Sequence, residues 1–80
     1  MIVDFPVPDP ADVAIGARLR HWRGARGVEL ASLAEALGMT VEEARRVEAG
    51  RRHLTSRQIA AATTLLHLPM WSLVSDTPAY

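Results

Sequence analysis

The chain contains no cysteine, which excludes disulfides, thiolate metal sites and cysteine nucleophiles together. Lysine is missing too, so every one of the nine basic residues is an arginine. No apolar run approaches the roughly 18 residues a membrane span needs, and no membrane association is expected. The opening Met1-Ile2-Val3-Asp4-Phe5-Pro6 lacks a basic flank, so it is not expected to be a signal peptide, and a cytoplasmic location is the default. The histidines His21, His53 and His67 are scattered, with no spacing that puts two on one helical face as metal ligands. There is neither a glycine-rich phosphate loop nor a serine placed near histidine and carboxylate in a recognised order. The sequence therefore implies no enzyme, no cofactor and no metal.

What is present is a core and an uneven charge distribution. Eighty residues make one domain, 49% of them hydrophobic. At this size only about 60% of the unfolded surface is buried on folding, so each apolar position counts. Formal net charge is zero, but all nine arginines lie between Arg18 and Arg57, where only five glutamates oppose them. A neutral protein arranged in this way can carry a basic face, and arginine forks suit phosphate groups.

Local signals give an all-α reading with no strand. Residues 1–9 hold prolines and no helical period; they form an extended arm made apolar by Ile2, Val3, Phe5 and Val7. Asp9-Pro10-Ala11-Asp12 is a helix start, with an N-cap, a proline at the first helical position and an acid in the first turn. Ile15, Leu19 and Trp22 follow at helical spacing, and Gly24 and Gly27 bracket the helix end. A second helix spans about Leu30 to Leu37 and stops at Gly38, the place for a left-handed cap. Thr40-Val41-Glu42-Glu43 opens a third helix with a capping box; Ala44 and Val47 form its inner face and Gly50 ends it. Thr55-Ser56-Arg57-Gln58 repeats the device for a fourth helix with Ile59, Ala62 and Leu66 inward. Pro69 begins a last turn carrying Met70, Trp71, Leu73 and Val74, and residues 75–80 read as a flexible tail. The domain proper is therefore residues 10–74. Helices two and three are joined only by Gly38, Met39 and Thr40, which is helix-turn-helix spacing.

Residues 15–74 resemble the Cro/repressor-type helix-turn-helix family, also called the XRE family. The matching stretches are Ile15-Gly16-Ala17-Arg18-Leu19-Arg20-His21-Trp22-Arg23, Leu33-Ala34-Glu35-Ala36-Leu37-Gly38-Met39-Thr40, Arg46-Val47-Glu48-Ala49-Gly50-Arg51-Arg52 and Leu66-His67-Leu68-Pro69. The specific part is the Leu-Gly-Met-Thr turn followed by Glu-Ala-Gly-Arg-Arg. The resemblance implies a five-helix lambda-repressor-like domain that regulates transcription, as a repressor, by binding double-stranded DNA. It also implies an internal ion pair between Arg23 and Glu48, whose guanidinium fork can hold the carboxylate in two parallel bonds. Phosphate contacts are implied in the loop after helix three, at Arg51 and Arg52 with His53 assisting.

In such folds the start of helix three enters the major groove. With Ala44 and Val47 inward, Val41, Glu42, Arg45, Arg46 and Ala49 face out. Val41 suits a thymine methyl, Glu42 a cytosine amino group, and Arg45 or Arg46 a guanine. Leu30, Thr40 and Ala49 are expected beside the DNA backbone, the amides at the start of helix two meeting a phosphate. Arg18, Arg20 and Arg26 are assigned to the outer face of helix one. Trp22 and Trp71 are read as packing residues. The apolar last turn, Met70, Trp71, Leu73 and Val74, reads as a homodimer interface.

Two features depart from the family. Glu42 and Glu43 stand where members carry glutamine, serine, threonine or a base, and helix two starts with Glu29-Leu30 in place of a hydroxyl cap and glutamine. Glu43 is explained by the capping box. Glu42 either reads a base or points to the competing reading, a helix-turn-helix scaffold used as an antitoxin-like or regulator-binding interaction module that docks a protein through residues 2–7.

Overall fold

Asp9 accepts a hydrogen bond from the Ala11 amide at 2.8 Å, and from that cap the first helix, α1, runs Pro10–Arg26. The computed structural model describes residues 9–69 and 71–74. The apolar arm therefore lies, except for Asp9, outside the described residues, as does the tail from residue 75. Four more helices follow: α2 Leu30–Leu37, α3 Val41–Glu48, α4 Ser56–Leu65 and α5 Trp71–Val74. The all-helical, five-helix architecture expected from the sequence is the one observed, and there is no strand among the described residues.

The cap chemistry explains where the helices begin and end. Gly27 and Gly38 adopt left-handed backbone angles that terminate α1 and α2, a conformation glycine reaches without steric cost. At α3 and α4 both halves of the capping box close: Thr40 with Glu43, and Thr55 with Gln58. Gln58 does a second job, its Nε2 donating to the Leu37 carbonyl at 3.3 Å. That bond ties the start of α4 to an unsatisfied carbonyl at the end of α2. By contrast Glu29, the cap residue of α2, makes no side-chain capping bond.

Helix α1 packs on α3 and α5, while α2 packs on α3 and α4. Leu19, Leu33, Val47, Leu66 and Leu73 are fully buried where these layers meet. Each such side chain contributes about 1.5–3 kcal/mol when removed from water. Trp22 is partly buried against this core, with Ile15, Val28 and Leu30; the packing role expected for Trp22 holds.

The expectation for Trp71 does not. Its side chain is 61% exposed, because α5 is a single turn whose inward side is occupied by Ser72 and Leu73. Leu73 requires the opposite correction: assigned to a dimer interface, it is 0% exposed within its own chain and has no surface to offer a partner. Met70 and the Val74 side chain, the remaining members of that expected interface, lie outside what is described.

Arg18 also departs from expectation. It does not stand on the outer face of α1 but is half-buried and donates from a terminal guanidinium nitrogen to the Leu73 carbonyl at 3.0 Å. The last helix is thereby pinned to the first.

Candidate nucleic-acid interface

The solvent-facing side of α3 is set by exclusion. Ala44 and Val47 are buried at 0% and 1% exposure, so the rotation of the helix is fixed by packing and not by choice of partner. That rotation leaves Val41, Glu42, Arg45, Arg46 and Ala49 exposed, together with the cap residue Thr40. The five outward positions named from the sequence thus share one free surface. Arg51, in the following loop, is exposed as well.

The Arg23–Glu48 pair is present and bidentate. Arg23 donates from Nε to one carboxylate oxygen of Glu48 at 2.5 Å and from a terminal nitrogen to the other at 3.1 Å. Its remaining terminal nitrogen donates to the Val28 carbonyl at 3.0 Å. The Arg23 guanidinium is held above its ordinary pKa, first by the hydrogen bond to Glu48, with burial opposing and the Glu48 charge assisting. One side chain of α1 therefore fixes both the end of α3 and the entry to α2.

The acids of the α3 first turn are partnered within the chain. Glu42 pairs with Arg45, three residues on, both side chains well exposed. Glu43 accepts from the Thr40 amide at 2.9 Å and takes Arg52 on its other oxygen at 2.8 Å. Arg52, expected to meet a phosphate, is thus engaged inside the domain. His53 faces Asp12 of α1 at 2.9 Å, a contact between residues 41 positions apart. Among the described residues Arg46 and Arg51 form no ion pair.

Thr40 holds the Glu43 carboxyl below its usual range, first through its backbone amide and next through its side chain; Arg52 and Arg46 add to this and burial opposes it. The folded form then binds a proton less readily than the unfolded chain. The corresponding stabilisation is complete above the ordinary carboxylate pKa and disappears as pH falls through the lowered value. Replacing Glu43 with Gln keeps a capping side chain, as Gln58 shows at α4, but removes the titration. Thermal melts between about pH 6 and about pH 3 should fall less steeply for E43Q than for the wild type; equal slopes would refute the assignment.

A groove of about 330 Å³ opens beside this surface, lined by Arg20, Arg23, Leu30, Arg45, Glu48 and Ala49. It brings the start of α2, whose cap makes no side-chain bond, against arginines from α1 and α3. Of these arginines only Arg20 has no ion-pair partner among the described residues, and Glu48 adds a carboxylate to the lining. Arg20, assigned from sequence to the outer face of α1, lies three residues before Arg23, which places both on one face of that helix. Arg26, also assigned to the outer face, is exposed and lies over the Trp22 ring, 5.5 Å from its centre.

Two short helices joined by a three-residue turn, the second presenting exposed arginines, define a helix-turn-helix unit. The family model described as a helix-turn-helix domain matches residues 14–70, and the chain belongs to that family. The Cro/repressor-type resemblance is borne out by this match and by the solved structures. The clp gene regulator ClgR from Corynebacterium glutamicum superposes with a TM-score of 0.76 at 28% identity, over 84% of this chain and 71% of that one. The restriction-modification controller protein C.AhdI from Aeromonas hydrophila does so with a TM-score of 0.70 at 31% identity, over 78% of this chain and 94% of its own. A curated relative from Sinorhizobium medicae, described as an uncharacterized HTH-type transcriptional regulator, is 27% identical over 78 residues, covering 98% of this chain and 56% of its own length. The chain thus spans about half the length of that relative. No described helix is long and apolar enough to cross a membrane.

Proposed function

We propose that this chain is a transcriptional regulator, a repressor, that binds duplex DNA sequence-specifically in the cytoplasm by laying α3 in the major groove. The observation that carries the reading is the fixed rotation of α3: packing of Ala44 and Val47 turns Val41, Glu42, Arg45 and Arg46 outward together. Arg20, beside the start of α2, then meets a backbone phosphate, with Leu30 contributing its amide and Arg51 contacting the next phosphates. Thr40 and Ala49 sit at the margins of that contact, and His53 and Arg52 support it through Asp12 and Glu43. Two such domains make a dimer through exposed Trp71, setting their recognition helices about one DNA turn apart.

The printed descriptions of the relatives, a gene regulator and a controller protein, agree with this reading. The interaction-module reading drew its strength from zero net charge and from the acids Glu42 and Glu43. Both acids now have partners inside the domain, Arg45 for Glu42 and Thr40 with Arg52 for Glu43.

The test is Arg46→Ala on a duplex selected from random sequence. Specific affinity is expected to fall by roughly 5- to 150-fold, one base contact's worth, with an unchanged melting temperature because Arg46 is exposed. Wild-type affinity should also fall steeply with added salt as phosphate contacts release counterions. Affinity that ignores both the substitution and the salt would rule the reading out.

A further inference from the structure

The two acids in the first turn of α3 are held in different ways. Glu43 is anchored on both oxygens, by the Thr40 amide and by Arg52, and is one-third exposed. Glu42 has one partner, Arg45, and the pair stands open to solvent with side chains 70% and 60% exposed. An exposed pair of this kind favours its closed form by only roughly two- to fivefold. It is strong enough to persist in water and weak enough to be displaced by a good ligand.

Displacement has a condition. When α3 is pressed into a groove and water leaves, opening the pair strands two opposite charges unless each finds a new partner, and an unpaired desolvated charge is costly. Arg45 needs acceptors, which guanine supplies with O6 and N7; Glu42 needs a donor, which cytosine supplies with its N4 amino group. Guanine O6 and cytosine N4 are neighbours on the edge of a single base pair. Side chains three apart on a helix are also neighbours, about 5–6 Å between their β-carbons.

We propose that Glu42 and Arg45 read DNA as one coupled unit, opening onto a guanine whose cytosine partner or neighbour takes the carboxylate, and closing on each other over any other sequence. The proposal rests on the reading of α3 as a major-groove helix. It makes Glu42 a specificity-determining residue: its carboxylate withholds Arg45 from phosphates, which offer no donor, and from A·T edges, where the adenine amino group separates the two acceptors. A lone arginine would accept many phosphate and base edges, whereas the pair accepts a matched set.

The experiment is a double-substitution cycle with the full chain. Wild type, Glu42→Gln, Arg45→Ala and the double variant are titrated with a duplex selected from random sequence. Each is also titrated with the same duplex carrying A·T in place of the contacted G·C pair. Coupling predicts that wild type prefers the G·C duplex by roughly tenfold or more, within the span of one base contact. It predicts that E42Q binds the A·T duplex more tightly than wild type does, and so loses most of that preference. The double variant should be no weaker than R45A on the G·C duplex, the non-additivity of residues acting together. All four proteins should melt alike, since both side chains are exposed.

Effects of the two substitutions that multiply, or a preference unchanged in E42Q, would overturn the coupling and leave DNA binding standing. A wild type that binds no duplex even in dilute salt would overturn the underlying reading instead.

Discussion

Substituting Gly16 with alanine is expected to destabilise the domain by about 3 kcal/mol or more, towards the upper end of what overpacking costs. A β-carbon at this position would stand 2.2 Å from the Val47 carbonyl oxygen and 3.0 Å from that of Glu48. Both obstacles are backbone atoms, so no side-chain rotation relieves them, and α1 must move away from the end of α3. For a domain of this size each kcal/mol is worth about 4–8 °C in melting temperature, so a fall of at least about 12 °C is expected. Gly24→Ala is the control. It lies on the same helix with nothing within 4 Å of the added carbon, and it should gain up to about 1 kcal/mol from helix propensity. A G16A protein that melts with the wild type would show that the two helices do not approach as closely as described.

The second large effect concerns Arg23 and Glu48, and it is asymmetric. Arg23→Ala removes both bonds to the carboxylate and the bond to the Val28 carbonyl. It abandons a glutamate whose side chain is only 8% exposed. Breaking a buried pair in this way costs about 3–5 kcal/mol, a large share of the roughly 4–12 kcal/mol expected for an 80-residue domain. Glu48→Ala leaves an arginine that keeps Val28 and is 21% exposed, so its charge reaches water more easily and the loss should be nearer about 2 kcal/mol. Urea unfolding of the two variants measures the difference. Equal losses, or a larger one for E48A, would mean that the stranded carboxylate is not what matters.

Much of the fold is written in local chemistry. Asp9 before Pro10, Thr40 with Glu43 and Thr55 with Gln58 each fix a helix start within four residues, and each closes as expected. The inner stripe of α3 is equally local, since two buried residues three apart set the rotation of a two-turn helix. Family resemblance, not spacing, pointed to Arg23 and Glu48.

What escaped detection depends on partners distant in sequence or on a broken local rule. The bond from Arg18 to the Leu73 carbonyl joins residues 55 positions apart, and nothing near Arg18 distinguishes it from Arg20. The need for glycine at position 16 comes from another helix. Trp71 carries the composition of a core residue but sits on a one-turn helix with too little inward surface to bury it. At the end of α4, His67 takes a left-handed backbone angle of 56° where a glycine would have signalled the stop. On the interface, the outward arginines were legible from periodicity, but the arrangement that pairs Arg45 and Arg52 and leaves Arg46 and Arg51 without ion pairs was not.

The loop that carries Arg51 and Arg52 is seated directly on the beginning of the first helix. Gly50 is packed so tightly on Val13 that an added β-carbon would come within 2.8 Å of its backbone, and His53 meets Asp12 one residue earlier in the chain. The loop is thus held to the front of α1 at two neighbouring residues. A side chain at position 50 would meet both Val13 and a left-handed backbone angle, so any substitution there should shift Arg51 and Arg52 away from α1.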